Sequence, residues 1–530
     1  MSLTSFKPIL ELVVMKACPS CRRWFWLWLW ALIFLPCKVF PGGVVNQANQ
    51  AALAGAMAGG GTVTFSVDGV IGLTSTIVVA NNTVLDATGH NITLDGGGAV
   101  RLFTVNAGVN FVLTNLNLAD GLAEGTTNLP GLGGAICNTG MVVAVQCVFS
   151  NNLAQGHAEV PFYGNSSPGL GGAIYNTGLV VAVQCVFANN FARGYTNVVD
   201  GASSVALGGA IYNAGTLTLS NSIFAANSAF GGDGQNGVYY GPGEGGAGPD
   251  PGQEGSGGSI YNSGNALVVN CQASGNVATG GHGGAGDNNG IQSIAGETGG
   301  PAKGGAICSS GSLIVSNSTF IQNTAMGGGG GRGGDGPLNY GNYYSGAPGA
   351  SGGGPGNGNG GALCCVNGDC VVVNSTFWDN SAAGGAGGSG GNGSGATGGR
   401  GTTGGAGGNG ANGGNGIGGA VCSLGGSFTL NYATLASNSV AGGAAGAGGQ
   451  GGYLGYPSSP GRPGANGVPG AGQGDSLGSS GGQLTAQSCI LAANAASDTN
   501  VFGTIVDAGH NLNSDATGVL TSSTSLRRRK

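Results

Sequence analysis

The sequence predicts a single-stranded right-handed parallel β-helix, a solenoid, and three observations support that fold. A block that begins Gly-Gly-Ala at Gly133 returns at Gly171 with few changes, and then in looser form along the rest of the chain. Within each block the apolar positions alternate with period two and favour Val, Ile, Leu and Thr, which is typical of strands. Gly and Asn separate the short strands. Because such a unit buries its apolar face only by stacking on its neighbours, the repeats predict a solenoid.

The aligned copies also predict which residues form the core. One column holds only apolar residues and begins with Ile136. A second column is mostly Phe, and each buried Phe contributes about 1.5–3 kcal/mol. We therefore expect this Phe column to stack inside the solenoid and to have no ligand role. Its members are Phe149, Phe187, Phe224, Phe320 and Phe377, with Leu at positions 435 and 491.

An Asn follows the Phe column after three residues in every block. In a stack of coils an Asn amide can bond to the main chain of a tight turn and to the Asn of the next coil. We expect a structural ladder and not a ligand site. The ladder comprises Asn152, Asn190, Asn227, Asn276, Asn323, Asn380, Asn438 and Asn494.

The chain divides into four predicted regions. Residues 1–41 form a signal-peptide region, in which Arg22 and Arg23 precede an apolar run from Trp24 to Leu35. This run is shorter than the roughly 20 residues that span a bilayer, although a retained signal anchor remains the alternative. Residues 44–120 contain a short capping helix and the first irregular coils, and residues 121–515 contain the repeats. Residues 516–530 form a C-terminal tail that ends in basic residues.

Long Gly-rich segments separate the Asn of one block from the Gly pair of the next. They always leave the block at the same point, so we expect them along one edge of the solenoid. Gly totals 119 residues, more than the repeats alone can use. Such runs cannot bury enough apolar area to offset chain entropy, so they predict mobile surface loops. An ordered or cation-binding Gly layer is the less favoured alternative.

Two stretches resemble a known group of proteins. The segment from Gly59 to Gly96, with its Thr-Val-Thr-Phe and Asn-Ile-Thr-Leu-Asp strands, is similar to the N-terminal part of bacterial secreted β-helix proteins of the pectate-lyase-like superfold. The Gly-Gly-Ala-Ile and Phe-x-x-Asn pair resembles the repeats of chlamydial polymorphic outer-membrane proteins. This resemblance implies a secreted or surface-exposed solenoid and covers residues 44–494. The resemblance also implies a C-terminal anchor or β-barrel that does not follow here, so we expect a truncated frame or another attachment.

The superfold includes polysaccharide lyases and hydrolases, but the residues predict no catalytic site. Lyases need clustered carboxylates that hold Ca²⁺ together with a basic residue, and hydrolases need paired carboxylates. Charged residues make up 7% of the chain, and within the repeats Asp369 and Asp379 are isolated acids. The Gly281-His282-Gly283 triplet matches a polygalacturonase fragment without its partner motifs. We expect no cofactor and no metal site.

The remaining features restrict the partners. A net charge of −6 without a basic stripe argues against nucleic acid. Ten cysteines follow the signal region, and their column positions favour stacked thiols over disulfides, although export permits disulfides. They are Cys137, Cys147, Cys185, Cys271, Cys308, Cys364, Cys365, Cys370, Cys422 and Cys489. We expect Cys308, Cys364 and Cys422 on the outer face, in the column of Tyr175, Tyr212 and Tyr261.

The sequence thus favours a secreted or bacterial cell-surface protein with a structural or adhesive role and without catalytic activity. The expected partner is an extracellular glycan or a host or cell-surface protein. Membrane association is expected only through the signal or through a C-terminal anchor beyond Lys530. The alternative is a polysaccharide-active enzyme, similar to a pectate lyase or a glycoside hydrolase, with a degenerate or unrecognised site.

Overall fold

A computed structural model describes the chain over eleven ranges between residues 42 and 527. The ranges are 42–126, 129–157, 166–196, 203–239, 246–288, 292–338, 345–396, 402–453, 459–492, 499–515 and 520–527. Five large sheets, I to V, contain nearly all of the strands, and within each sheet successive coils pair in parallel and in order. The predicted right-handed parallel β-helix is therefore confirmed. The signal region and Asn494 lie outside the described residues.

Three sheets enclose the main core. Sheet I contains the strands of the Ile column, sheet II the longest strands and sheet III the Phe column. The sheet I strands are Ile77–Val79, Phe103–Val105, Ile136–Asn138, Ile174–Asn176, Ile211–Asn213, Ile260–Asn262, Ile307–Ser309, Leu363–Cys365, Val421–Ser423, Leu477–Ser479 and Val501–Phe502. The sheet II strands are Val44–Val45, Gly61–Phe65, Thr83–Asp86, Asn110–Thr114, Met141–Val145, Leu179–Val183, Thr216–Ser220, Asn265–Val269, Ser312–Ser316, Asp369–Val373, Ser427–Asn431, Gln483–Gln487 and Ile505–Asp507. The sheet III strands are Gly69–Gly72, Ile92–Asp95, Leu116–Ala119, Val148–Ser150, Val186–Ala188, Ile223–Ala225, Gln272–Ser274, Thr319–Ile321, Thr376–Trp378, Thr434–Ala436, Ile490–Ala492, Leu512–Asn513 and Leu526–Arg527.

Two narrower sheets, IV and V, lie side by side next to the main core. Small Ala clusters lie between them, as at Ala192, Ala206 and Ala229. The sheet IV strands are Leu122–Glu124, Leu153–Gln155, Phe191–Arg193, Ser228–Phe230, Val277–Thr279, Thr324–Met326, Ser381–Ala383 and Ser439–Ala441. The sheet V strands are Gly131–Leu132, Gly169–Leu170, Ala206–Leu207, Gly255–Ser256, Ala302–Lys303, Gly358–Asn359, Gly416–Ile417 and Gly472–Gln473. A two-stranded antiparallel ribbon joins Val238–Tyr239 to Gly246–Ala247.

The N-terminal end of the stack is covered by a helix, as the sequence predicts. Helix α1 spans Gln50–Met57, and the Asn49 side chain caps it by accepting a hydrogen bond from the Ala52 N–H at 2.9 Å. Leu53 and Met57 are buried in the main core. The helix therefore closes the apolar end of the solenoid.

The Gly-Gly pair of each block marks the place where the chain passes from sheet V into sheet I. Gly171 has a φ of +66°, which favours Gly, and a Cβ atom there would lie 2.1 Å from the Ile174 main-chain oxygen. A Cβ atom at Gly172 would lie 2.1 Å from the Gly209 main-chain oxygen. The first Gly is thus required by its conformation, and the second by the close approach of the main chain.

The Gly-rich segments are ordered, so the prediction of mobile loops is wrong for the described residues. Each insertion has an outbound segment that continues sheet IV and a return segment that leads into sheet V. Main-chain N–H groups donate to the neighbouring segment at every third residue, as from Gly384, Gly387 and Gly390 to the oxygens of Ala441, Ala444 and Ala447 at 2.8–2.9 Å. Three residues per turn, without hydrogen bonds inside a segment, is the geometry of the polyproline II helix.

Within the described ranges, ten such segments form a two-layer bundle, in which the outbound segments lie in one layer and the return segments in the other. The outbound segments span residues 231–239, 280–288, 327–338, 384–396 and 442–453, and the return segments span 246–254, 292–301, 345–357, 402–415 and 459–471. Hydrogen bonds also connect the layers, as from the Gly388 N–H to the Gly353 oxygen at 3.0 Å. The argument from chain entropy predicts mobility wrongly because it leaves out these hydrogen bonds, which each segment makes with neighbours on several sides.

Candidate functional site

The predicted Asn ladder lies at the junction between the main core and sheets IV and V, where the chain passes from sheet III into sheet IV. The Asn152 side-chain NH₂ donates to the Asn190 Oδ1 at 3.0 Å and to the Leu118 oxygen at 3.0 Å. The Asn152 Oδ1 in turn accepts from the Gly121 N–H at 2.9 Å. The row continues with the same contacts through Asn190, Asn227, Asn276, Asn323, Asn380 and Asn438, all of which are buried. Because these side-chain amides are buried and hydrogen-bonded within the fold, they are unavailable to a ligand.

The Phe column lies in the main core. Phe149 and Phe187 stack with ring centroids 4.7 Å apart, Phe187 and Phe224 at 4.8 Å, and Phe320 and Phe377 at 4.8 Å. All five rings are fully buried. Their role in the structure is packing.

A second polar ladder is absent from the sequence prediction. The NH₂ groups of Asn138, Asn176 and Asn213 each donate to the Asn of the following coil at 2.7–2.8 Å, and Asn262 donates to Ser309. The Asn138 Oδ1 also accepts from the Gly140 N–H at 3.0 Å. In the sequence this ladder corresponds to the Asn-x-Gly turn after the Ile column, where the Asn Oδ1 accepts from the main-chain N–H of the Gly.

Tyr175, Tyr212 and Tyr261 form a half-buried row on the outer face of sheet I, with ring centroids 5.3 and 5.5 Å apart. The ammonium of Lys303, on the sheet V strand Ala302–Lys303, contacts at 2.5 Å the carboxylate of Glu254, which directly precedes the strand Gly255–Ser256. Burial acts to lower the pKa of Lys303, but Glu254 outweighs it and raises that pKa above its usual value. The Glu254 carboxylate is thus already paired with Lys303.

The cysteines of the Tyr column lie on the outer face of sheet I, as the sequence predicts, but they are buried there. Cys308, Cys364 and Cys422 lie outside the main core, but sheet V covers them, with Ile417 packed against Cys364 and Cys422. Contact with Cys364, burial and the neighbouring carboxylate raise the pKa of the Cys308 thiol. Such thiols stay protonated and unreactive. Within the described ranges, no group of three or more His, Cys, Asp or Glu side chains could hold a metal ion.

The acidic and histidine residues singled out in the sequence are separated from one another. Asp369 is exposed on sheet II, and the Asp379 carboxylate accepts from the Gln322 side chain at 3.0 Å. His282 lies in the outbound layer, where its Nδ1 accepts from the Gly329 N–H at 2.9 Å and its own N–H donates to Asp233. The Gly-His-Gly triplet therefore belongs to the bundle.

The outward side chains of the bundle complete its hydrogen bonds. In the return layer, the Asn409 Oδ1 accepts from the Ala465 N–H, and the Asn412 Oδ1 accepts from the Val468 N–H, both at 2.9 Å. In the outbound layer, Asn392 accepts from the Gln450 N–H in the same way. In the Gly-rich segments, main-chain N–H groups that face the adjacent segment or the opposite layer donate to main-chain oxygens. Asn side chains accept from many of the N–H groups that face the surface.

We call the outward surface of the return layer the return face. Its exposed side chains are small and mostly uncharged, and Arg462 is the charged one among those of the last two return segments. The exposed side chains of these two segments include Thr403, Ala406, Asn409, Asn412, Arg462, Ala465 and Val468. Along a segment they recur about every 9 Å, three residues at about 3.1 Å each. The return face is therefore a periodic surface of small residues on a hydrogen-bonded scaffold.

No helix in the described part of the chain is long and apolar enough to cross a membrane. No protein-family model matches the chain, and no curated protein resembles it in sequence.

Solved structures that are similar in part include a phage tailspike and an antifreeze protein. Tailspike protein 3 of bacteriophage CBA120 is 10% identical, with a TM-score of 0.28, and the match covers 88% of this chain and 60% of the tailspike. A springtail antifreeze protein from Granisotoma rainieri, described as a bundle of nine polyproline type II helices, is 21% identical, with a TM-score of 0.10. That match covers 42% of this chain and 93% of the antifreeze protein.

Proposed function

We propose that this chain is an exported structural and adhesive repeat protein without catalytic activity, and that its return face binds neutral extracellular glycan. One observation carries the proposal. The Asn409 and Asn412 side chains are fixed by hydrogen bonds to their Oδ1 atoms, which leaves each NH₂ group to donate to a ligand. Sugar hydroxyl and ring oxygens are the matching acceptors.

The form of the return face favours an extended polymer over a small molecule. Small-molecule sites are concave and bury most of the ligand, whereas the return face is a layer of parallel segments. Each hydrogen bond adds only about 0.5–1.5 kcal/mol, so useful affinity requires many repeated contacts. Because the side chains are short and already ordered, little conformational entropy is lost on binding.

Export belongs to the same proposal. It is supported by the basic residues Arg22 and Arg23 followed by the apolar run from Trp24 to Leu35. Secretion or display at the bacterial outer surface would bring the return face to extracellular polymers.

The test compares binding of the full chain to immobilised neutral glycans, such as cellulose and chitin, before and after a double substitution of Asn409→Asp and Asn412→Asp. Carboxylates make the same lateral bond elsewhere in the bundle, as Asp335 does with the Asn392 N–H at 2.6 Å. The variant therefore keeps its fold and loses two donors. We expect at least tenfold weaker binding, and unchanged binding for Asn392→Asp on the opposite layer. Absence of wild-type binding, or equal loss in both variants, would refute the proposal.

The second candidate is a polysaccharide-active enzyme, and the ion pair of Glu254 with Lys303 near the Tyr row favours it. Arg101, whose Nε donates to the Leu132 oxygen at 2.9 Å, lies four coils away from this pair. Incubation with pectin, polygalacturonate and neutral glycans, with and without Ca²⁺, tests it. Product formation that Glu254→Gln abolishes would establish this candidate and displace the adhesive role.

A further inference from the structure

Cys365 and Cys370 stand apart from the other cysteines in their geometry. Cys365 ends the sheet I strand Leu363–Cys365, and Cys370 is the second residue of the sheet II strand Asp369–Val373. Both side chains are fully buried, and their Sγ atoms lie 2.7 Å apart. Two sulfur atoms at this distance are closer than non-bonded packing allows.

Both positions depart from the repeat in the same coil. Cys365 pairs in register with Ser309 and Ser423, at the ladder position that holds Asn or Ser in the adjoining coils. Cys370 pairs with Leu313 and Phe428, at an apolar core position. A polar ladder residue and an apolar core residue have thus both become cysteine at one corner of the solenoid.

The other cysteines in contact stack between coils. Cys308, Cys364 and Cys422 are register partners on adjacent parallel strands, so their Cα–Cβ bonds point the same way. A disulfide needs Cβ atoms about 3.5–4.5 Å apart and a dihedral angle near 90°, which parallel bonds disfavour. Cys365 and Cys370 instead come from two sheets that meet at a corner, and both side chains point into the core.

We propose that Cys365 and Cys370 form a disulfide when the chain is exported. The two thiols exchange with the disulfide of an oxidised dithiol carrier. One sulfur–sulfur bond forms in the protein, the bond in the carrier breaks, and the two protons and two electrons pass to the carrier as a reduced dithiol. Because the native thiols are fully buried, the exchange takes place before the coils above and below close.

Peptide mapping of the full chain, recovered from an oxidising export compartment, tests this assignment. Tryptic cleavage after Arg332 and Arg400 yields one peptide that contains Cys364, Cys365 and Cys370. Alkylation with iodoacetamide under denaturing conditions should add one group to this peptide without reduction and three after reduction. The matched variants are Cys364→Ser, which should keep the link and accept no group, and Cys365→Ser, which should lose the link and accept two.

Three groups on the unreduced wild-type peptide would overturn the proposal, because all three thiols would then be free. A link that persists in Cys365→Ser and disappears in Cys364→Ser would assign the bond to Cys364 and also overturn it. Should the Cys365→Ser chain fail to fold, fragmentation of the linked wild-type peptide distinguishes the two bonds directly.

Discussion

The Oδ1 atom of Asn409 accepts a hydrogen bond from the main-chain N–H of Ala465, 2.9 Å away on the next return segment. The same relationship joins Asn412 to Val468 and Asn415 to Ala471. In a polyproline II helix one N–H of each triplet can face a layer neighbour and one the opposite layer, while the third points to the surface. Asn side chains satisfy this third group, which explains why Asn accompanies Gly in the insertions.

The tightness of the bundle predicts opposite outcomes for two adjacent Gly positions. A Cβ atom at Gly353 would lie 2.0 Å from the Glu297 main-chain oxygen, whereas one at Gly354 would meet only the Thr298 Cγ2 at 3.8 Å. We expect Gly353→Ala to destabilise the bundle by about 1–3 kcal/mol, as overpacking does. Gly354→Ala should be neutral or slightly stabilising. Thermal unfolding and amide exchange of the two variants provide the measurement, and equal behaviour would contradict the proposed packing.

The sequence predicts the β-helix well because its signal is local and repeated. The period-two alternation places Ile136 and Phe149 inside, and the structure buries both. The Gly-rich segments are ordered by main-chain hydrogen bonds between segments, and apolar side chains contribute little to that order. The sequence therefore contains no apolar pattern from which their order could be predicted. The burial of Cys308 depends on sheet V, whose two-residue strands, such as Ala302–Lys303, are too short for pattern recognition. The ladder that starts at Asn138 escapes prediction because Ser and Cys replace Asn in later coils.

The buried ladder predicts a large effect for Asn227→Ala. The Asn227 Oδ1 accepts from the Asn190 N–H and NH₂, and its own NH₂ donates to the Phe187 oxygen and to Asn276. Truncation leaves several buried groups unpaired, at a cost of about 1–3 kcal/mol each. Denaturant unfolding should show this loss for Asn227→Ala and almost none for Asn265→Ala, whose side chain is exposed on sheet II. A wild-type midpoint for Asn227→Ala would be incompatible with a stabilising ladder.

Replacement of residues 442–471 by a three-residue turn should separate the stability of the bundle from that of the β-helix. Loop length alone would predict little change, since closure entropy grows slowly with length. The structure predicts that Gly387, Gly390 and Gly393 lose the acceptors of their N–H groups, because Ala444, Ala447 and Gln450 lie in the replaced segment. Amide exchange in residues 384–396 should therefore accelerate, while residues 369–373 of sheet II remain protected. Unchanged exchange in the bundle would show that these lateral bonds contribute nothing.

The last coil, which includes residues 520–527, should become less stable in acid because hydrogen bonds to the Asp507 carboxylate hold it in place. The Asp507 carboxylate accepts from the Ser522 N–H, the Ser525 hydroxyl and the Asn511 NH₂ at 2.7–2.8 Å, and from the Gly509 N–H at 3.1 Å. Partial burial acts to raise the pKa of Asp507, but these hydrogen bonds outweigh it and hold the pKa below its usual value. For a carboxyl whose folded pKa is depressed, the stabilisation is complete above the unfolded pKa, about 3.9, and is lost as pH falls through the folded value.

We therefore expect residues 520–527 to lose amide protection between about pH 4 and the lower folded pKa of Asp507, after correction for the intrinsic exchange rate at each pH. Asp507→Asn removes the titrating group, so its protection should be lower at neutral pH and should not change over this interval. The strand Leu512–Asn513 pairs with Leu526–Arg527, so exchange at these residues should follow the same profile in the wild type. Acid loosening that persists in Asp507→Asn would assign the effect to another carboxyl.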